Sequence, residues 1–134
     1  MNKAKQRLIG SPSRDMFKQA HKLHAPPFCY ASDLDLVFVS KKPNAHIVAF
    51  IDYKKYGEAI TFAEVIAYNS LINNNGGLIY IVRGGDPQLG PFDIYQYCGG
   101  DWQPEPPIVD LIFLEHCQTW AELVLWEITL RRQG

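Results

Sequence analysis

The chain has 134 residues, of which 47% are hydrophobic and 20% charged, a composition typical of one soluble globular domain with a hydrophobic core. It contains no run of 18 apolar residues, so we predict no membrane span, and its three cysteines form no CxxC motif, which favours reduced thiols and a cytoplasmic location. The formal net charge is -1, but the chain carries +5 through Gly85 and -6 from Asp86 onward. This asymmetry weakly supports a basic face for a polyanion.

Local patterns predict the secondary structure in chain order, with residues 1–12 expected to be flexible. The predicted elements are a helix within 11–24, strands within 28–40 and over 46–54, a helix over 60–72, a strand over 78–82, a hairpin over 91–102, a strand over 108–115 and a helix over 120–132. Thr61 with Glu64, and Thr119 with Glu122, have the spacing of capping boxes at the starts of two of the helices. We therefore predict a single α/β domain over 1–134, with a mixed central sheet flanked by helices.

The first two strands form a predicted hairpin through the turn sequence KKPNA. A symmetric register places Ser40 opposite Ile47, Phe38 opposite Ala49 and Asp35 opposite Asp52.

In this register the two carboxylates lie on one face of the sheet, with Cβ atoms roughly 5 Å apart. Lys54 points to the same side as Asp52 because side chains alternate along a strand. Two opposed like charges destabilise a sheet, and a divalent cation between them would offset this, so the pattern predicts a site for Mg²⁺ or Mn²⁺. The Lys54 amine would orient the attacking water or stabilise charge on a phosphate.

The stretches SDLDLVFV and VAFIDYK resemble the PD-(D/E)xK nuclease superfamily, in which an Asp on one core strand precedes an acid-x-Lys on the next. The resemblance covers about residues 13–85, the core motif region, and implies a restriction-endonuclease-like αβββαβ core with a C-terminal hairpin, strand and helix over 86–134. It implies that Asp35 and Asp52 are metal ligands, that the Tyr53 carbonyl completes the metal shell, and that Lys54 is the catalytic lysine. Some members carry Gln-x-x-x-Tyr on the second helix, where this chain has Glu64 and Tyr68.

Several accessory residues have a structural interpretation beside the functional one. Asp33 either supports the metal ligands or caps the turn before the strand. Glu64 either belongs to the site or only completes the capping box, and Tyr68 either orients Lys54 or contacts a phosphate, or is a partly buried helix tyrosine. Three lysines either contact a nucleic-acid backbone or are solvated: Lys41, Lys42 and Lys55.

The first functional prediction is a Mg²⁺-dependent nuclease that hydrolyses phosphodiester bonds in DNA. The alternative is a catalytically inactive nuclease-fold module for nucleic-acid binding or protein assembly. The alternative is favoured by the absence of a Glu from the first predicted helix, where many members of the superfamily have one and where Asp15 is the only acid. A homodimer, or a partner protein that supplies specificity, is predicted by analogy alone.

Overall fold

The computed structural model describes residues 35–41, 44–75 and 78–133, together with five helical positions within the first predicted helix: Ser13, Asp15, Met16, Gln19 and Ala20. The chain divides into two compact units, Met1–Asp33 and Leu34–Gly134, and the elements described below belong to the second. The predicted flexible segment 1–12 lies outside the described residues. The organisation of the whole chain as one domain stays a prediction.

The second unit contains five strands and two helices within the described residues. The strands are β1 (Leu36–Ser40), β2 (His46–Lys55), β3 (Leu78–Gly84), β4 (Phe92–Asp101) and β5 (Ile108–Cys117), and the helices are α1 (Phe62–Asn75) and α2 (Trp120–Gln133). Both helices begin within two residues of their predicted starts. Neither helix in this part of the chain has the length and apolar character needed to cross a membrane.

All five strands form one mixed sheet in the order β1-β2-β3-β4-β5. The pair β2–β3 is parallel and the other three pairs are antiparallel. Helix α1 makes the crossover between the two parallel strands, as such a connection requires. The predicted α/β fold with a mixed sheet is therefore confirmed, whereas its assignment to the restriction-endonuclease-like core stays a prediction.

The predicted hairpin over 91–102 is wrong, because β4 runs through this segment as a single strand and pairs with β5. Gly99 and Gly100 are accommodated within the strand. The register of β4 against β5 shifts between Tyr97 and Gly99, and Gly99 has a φ of +134°, a conformation that suits glycine. The region 86–134 thus consists of β4, β5 and α2.

The sheet buries apolar side chains on both faces. One face packs with α2, including Leu123 and Leu130, and the other packs with α1, including Val65 and Tyr68. Along β2, Ile51 belongs to the first cluster and Phe50 to the second. Because side chains alternate along a strand, the even-numbered positions that follow Phe50 lie beneath α1. The polar end of β2 is therefore enclosed by a helix.

Candidate active site

Asp35 and Asp52 are neighbours across the β1–β2 pair. The register pairs Phe38 with Ala49, as predicted, and carries Asp35 to the level of Asp52. The backbone N–H of Asp35 donates to Asp52 Oδ1 at 3.2 Å, and the backbone N–H of Tyr53 donates to Asp35 Oδ2 at 2.7 Å. The two acids are thus joined by the chain itself, each accepting a backbone hydrogen bond from the other strand.

The far end of the same hairpin differs from the predicted register. Ser40 lies opposite His46 and not opposite Ile47. The register shifts between Phe38 and Val39, which leaves Val48 as an extra residue on β2, as in a β-bulge. The predicted symmetry therefore holds only at the end of the hairpin that carries the acids.

Asp52 is buried, with 3% of its surface exposed. The hydroxyl of Tyr68, which is fully buried on α1, donates to Asp52 Oδ2. Burial raises the pKa of Asp52 to about 7, and the negative charge of Asp35 adds to the shift, while the Tyr68 hydrogen bond and the Lys54 charge oppose it. The Asp52 carboxylate is thus held where its ionised form is disfavoured.

Lys54 is buried beside Asp52 and is paired with acids from two directions. Its Nζ forms an ion pair with Glu64 of α1 and lies 3.4 Å from Glu58 Oε2. Burial alone would lower the pKa of Lys54, but the hydrogen bond and charge of Glu64 outweigh burial and raise it. The amine is therefore a stable ammonium near neutral pH.

Glu64 both completes the capping box and contacts the predicted catalytic lysine. Its Oε1 accepts from the Thr61 backbone N–H at 2.9 Å, and its own N–H donates to Thr61 Oγ1 at 3.2 Å. Its Oε2 faces Lys54 and lies 3.4 Å from the Tyr68 hydroxyl. Although burial raises the pKa of Glu64, the hydrogen bonds from Lys54 and Thr61 lower it overall, so Glu64 stays ionised. Glu64 therefore completes the capping box and contacts Lys54 at the same time, so the structural and functional interpretations of Glu64 are compatible.

The sequence allowed two interpretations of Tyr68, as a residue of the site or as a structural helix tyrosine, and its hydroxyl contacts two acids of the candidate site. Its hydroxyl bridges the acids of β2 and α1, and its ring contacts Tyr97 edge-on at 5.0 Å between centroids. Burial and the neighbouring Asp52 raise the pKa of Tyr68, so the phenol keeps its proton as a donor.

Two further charged residues lie near Lys54 and were not among the site residues predicted from the sequence. Glu58 follows the end of β2 and reaches Lys54 across a turn, and Arg83 lies beside Lys54 on the parallel strand β3. The guanidinium of Arg83 donates to the Glu58 carbonyl at 2.7 Å. The i,i+4 spacing of Lys54 and Glu58 was the available signal, whereas the position of Arg83 depends on the β2–β3 register.

The lysines predicted to contact nucleic acid do not gather at this site. Lys55 is exposed and alternates to the face opposite Lys54. Lys41 is exposed at the end of β1 remote from Asp35, a separation of roughly 20 Å along the strand. Lys42 and the predicted accessory acid Asp33 lie outside the described residues.

Compared with protein-family models, curated proteins and solved structures, the chain matches none of them. The resemblance to PD-(D/E)xK nucleases therefore rests on the motif residues, and the function implied by it is proposed below on the geometry of the site.

Asp35 and Asp52 are the candidate ligands for a hard divalent cation, with Asp35 exposed and Asp52 buried. Glu64 and Glu58 pair with the Lys54 ammonium, whereas Asp52 lies on the same face of β2 with Asp35 beside it across the strand pair. Within the described part of the chain, no group of three or more His, Cys, Asp or Glu is arranged as a metal cage. Two carboxylates with open positions for water and substrate oxygens are the usual surroundings of Mg²⁺.

Proposed function

We propose that the protein is a metal-dependent nuclease that hydrolyses phosphodiester bonds in DNA. The observation that carries this proposal is the hydrogen bond from Asp35 to Asp52 across adjacent strands, with Lys54 buried on the same face as Asp52. A buried acid with a strongly raised pKa beside a buried ammonium is costly to maintain and is more common at functional sites than elsewhere.

Asp35, Asp52 and the Tyr53 carbonyl would hold Mg²⁺ or Mn²⁺ in this site. When bound, the metal would supply positive charge to the phosphate and lower the pKa of the attacking water. The donor set supports this role because Asp35 and Asp52 adjoin each other while Lys54 is already paired with Glu64 and Glu58.

Lys54 would stabilise negative charge on the phosphate in the transition state. Its raised pKa favours this electrostatic role over that of a general base, because the ammonium has no free lone pair to accept a proton. Glu64 and Tyr68 would position Lys54 and Asp52 through the contacts described above. Asp35 is the exposed acid of the candidate metal pair, so the phosphate would enter from its side.

A cleavage assay with purified protein tests the proposal. Labelled duplex, single-stranded, flap and junction DNA, with RNA for comparison, are incubated with Mg²⁺, Mn²⁺ or EDTA. The wild type should cut at least one DNA only with metal, and Asp52→Asn should not. Asp110→Asn, a change at an exposed acid on β5, is the matched control and should retain cleavage. Equal activity of Asp52→Asn and wild type would overturn the proposal.

The second candidate is a module that keeps the charged cluster without catalysis. It is favoured by the burial of Lys54, which is 6% exposed and is engaged by Glu64. Calorimetric titration separates the two candidates, since metal binding that is lost in both Asp35→Asn and Asp52→Asn supports the nuclease. A homodimer, or a partner protein that supplies specificity, stays a prediction, to be tested by light scattering with and without DNA.

A further inference from the structure

A cavity of about 310 Å³ lies on the α2 side of the sheet, close to the candidate active site. Its walls are mostly apolar and include three aromatic residues, Tyr53, Phe92 and Trp120. The rings of Phe92 and Trp120 meet at 61°, with 6.3 Å between their centroids. Two carboxylates, Asp35 and Glu127, also line the cavity. This volume is at the lower end of the range for small-molecule sites.

The Tyr53 hydroxyl is buried without a hydrogen-bond partner, although Tyr53 lines this cavity. Buried hydroxyls are normally paired, so an unpaired one in a native fold requires an explanation. The ring is closely packed, because a Cβ at Gly84 would come within 2.9 Å of Tyr53 Cε2. The hydroxyl is enclosed beside Gly84 and is not open to the cavity, so a bound molecule would contact the Tyr53 ring and not its hydroxyl.

Asp35 connects the cavity to the candidate active site. It lines the cavity and also donates its N–H to Asp52 on the α1 side of the sheet. Tyr53 lies between the cavity and the candidate active site. Its N–H donates to Asp35, while its side chain lies on the face of the sheet opposite Asp52 and Lys54. A molecule in the cavity would thus adjoin a phosphate held near Asp35.

We propose that the cavity binds one unstacked nucleobase of the nucleic-acid substrate, next to the phosphate at Asp35 and Asp52. Flipped bases are bound against aromatic side chains, and Trp120 and the Tyr53 ring would provide these contacts. The acidic lining, Asp35 and Glu127, disfavours a phosphate inside the cavity and favours an uncharged ring. This inference rests on the proposed function and adds the requirement for an unpaired nucleotide.

Binding in EDTA tests the base pocket separately from cleavage. The probes are an end-labelled oligothymidylate and a fully abasic oligomer of the same length, with affinity measured by fluorescence anisotropy. Trp120→Ala should weaken oligothymidylate binding about tenfold to a hundredfold and should leave binding of the abasic oligomer unchanged. Trp102→Ala is the control, because Trp102 is 45% exposed, close to the 49% of Trp120, and does not line the cavity.

Tyr53→Phe is a second control, because it keeps the ring that lines the cavity and removes only the enclosed hydroxyl. It should leave oligothymidylate binding and the stability of the free protein unchanged, because the hydroxyl is enclosed and has no partner there. The pocket proposal is overturned if oligothymidylate does not bind, or if Trp120→Ala affects both oligomers equally or neither. If the pocket proposal fails in this way, loss of cleavage in Asp52→Asn would still support the nuclease. If binding depends on the bases but no DNA is cleaved, the pocket is supported and the nuclease is not.

Discussion

Lys54 forms its buried ion pair with Glu64 of α1, ten residues later, rather than with Asp52 on its own strand. Both side chains are largely buried, with 7% and 12% of their surfaces exposed. The pair thus links the end of β2 to the first turn of α1. Removal of one partner would leave the other charge buried without its counterion.

We expect Lys54→Met to lower the free energy of unfolding by about 3–5 kcal/mol, the usual cost of breaking a buried ion pair from one side. Lys55→Met, one residue later and exposed, should change it by less than about 0.5 kcal/mol. Denaturation in urea measures both. The double variant Lys54→Met/Glu64→Gln should recover part of the loss, and a double variant no more stable than Lys54→Met would contradict the pairing.

Tyr68→Phe and Tyr97→Phe remove hydroxyls from two buried tyrosines that touch each other. Tyr68 donates to the Asp52 carboxylate, whereas Tyr97 donates to the Asn69 amide oxygen at 2.7 Å. Because the Tyr68 hydrogen bond lowers the pKa of Asp52, its loss should cost more when Asp52 is ionised. We expect Tyr68→Phe to destabilise the protein by about 1.5–3 kcal/mol at pH 8 and by less at pH 5. The effect of Tyr97→Phe should be the same at both values.

The contribution of Asp52 to the stability of the metal-free protein should fall as the pH rises from about 4 to 7. Burial raises the pKa of Asp52 from 3.8 to about 7, so over this interval the unfolded chain releases a proton that the folded chain retains. The stabilisation from Asp52 is complete below the pKa of Asp52 in the unfolded chain, and it is lost as the pH rises through the pKa of Asp52 in the folded protein. Asp52→Asn should flatten this part of the unfolding profile measured in EDTA, and Asp110→Asn should leave it unchanged. Parallel profiles for wild type and Asp52→Asn would refute the assignment.

Lys54→Met should reduce the cleavage rate at saturating DNA by at least about a hundredfold, because it removes the positive charge proposed to act in the transition state. Lys55→Met should cut DNA at nearly the wild-type rate, since Lys55 lies on the other face of the sheet. Rates are compared at a temperature where circular dichroism shows both variants folded. A similar loss in both lysine variants would indicate a general electrostatic effect rather than a site role for Lys54.

The parts of the site that were predictable are those set by local patterns. Alternation along two strands and a short turn were enough to place Asp35 beside Asp52, and the Thr61–Glu64 spacing was enough to start α1. The bulge at Val48 was not predictable, because nothing in its apolar neighbourhood distinguishes a bulged residue from a paired one.

Contacts that depend on how secondary-structure elements pack could not be predicted from local sequence patterns either. The pairing of Lys54 with Glu64 requires α1 to dock on the face of β2 that carries Lys54, and the position of Arg83 requires the parallel β2–β3 register. The continuous course of β4 through Gly99 and Gly100 was not predicted either, because glycine suits a bulge as well as a turn.

The acids, the lysine and the tyrosine of the candidate site all come from the 34 residues between Asp35 and Tyr68. They lie on β2 and α1, immediately before β1 and in the turn after β2. Short loops cost little entropy to close, so this segment should assemble early in folding, before β4 and β5 complete the sheet.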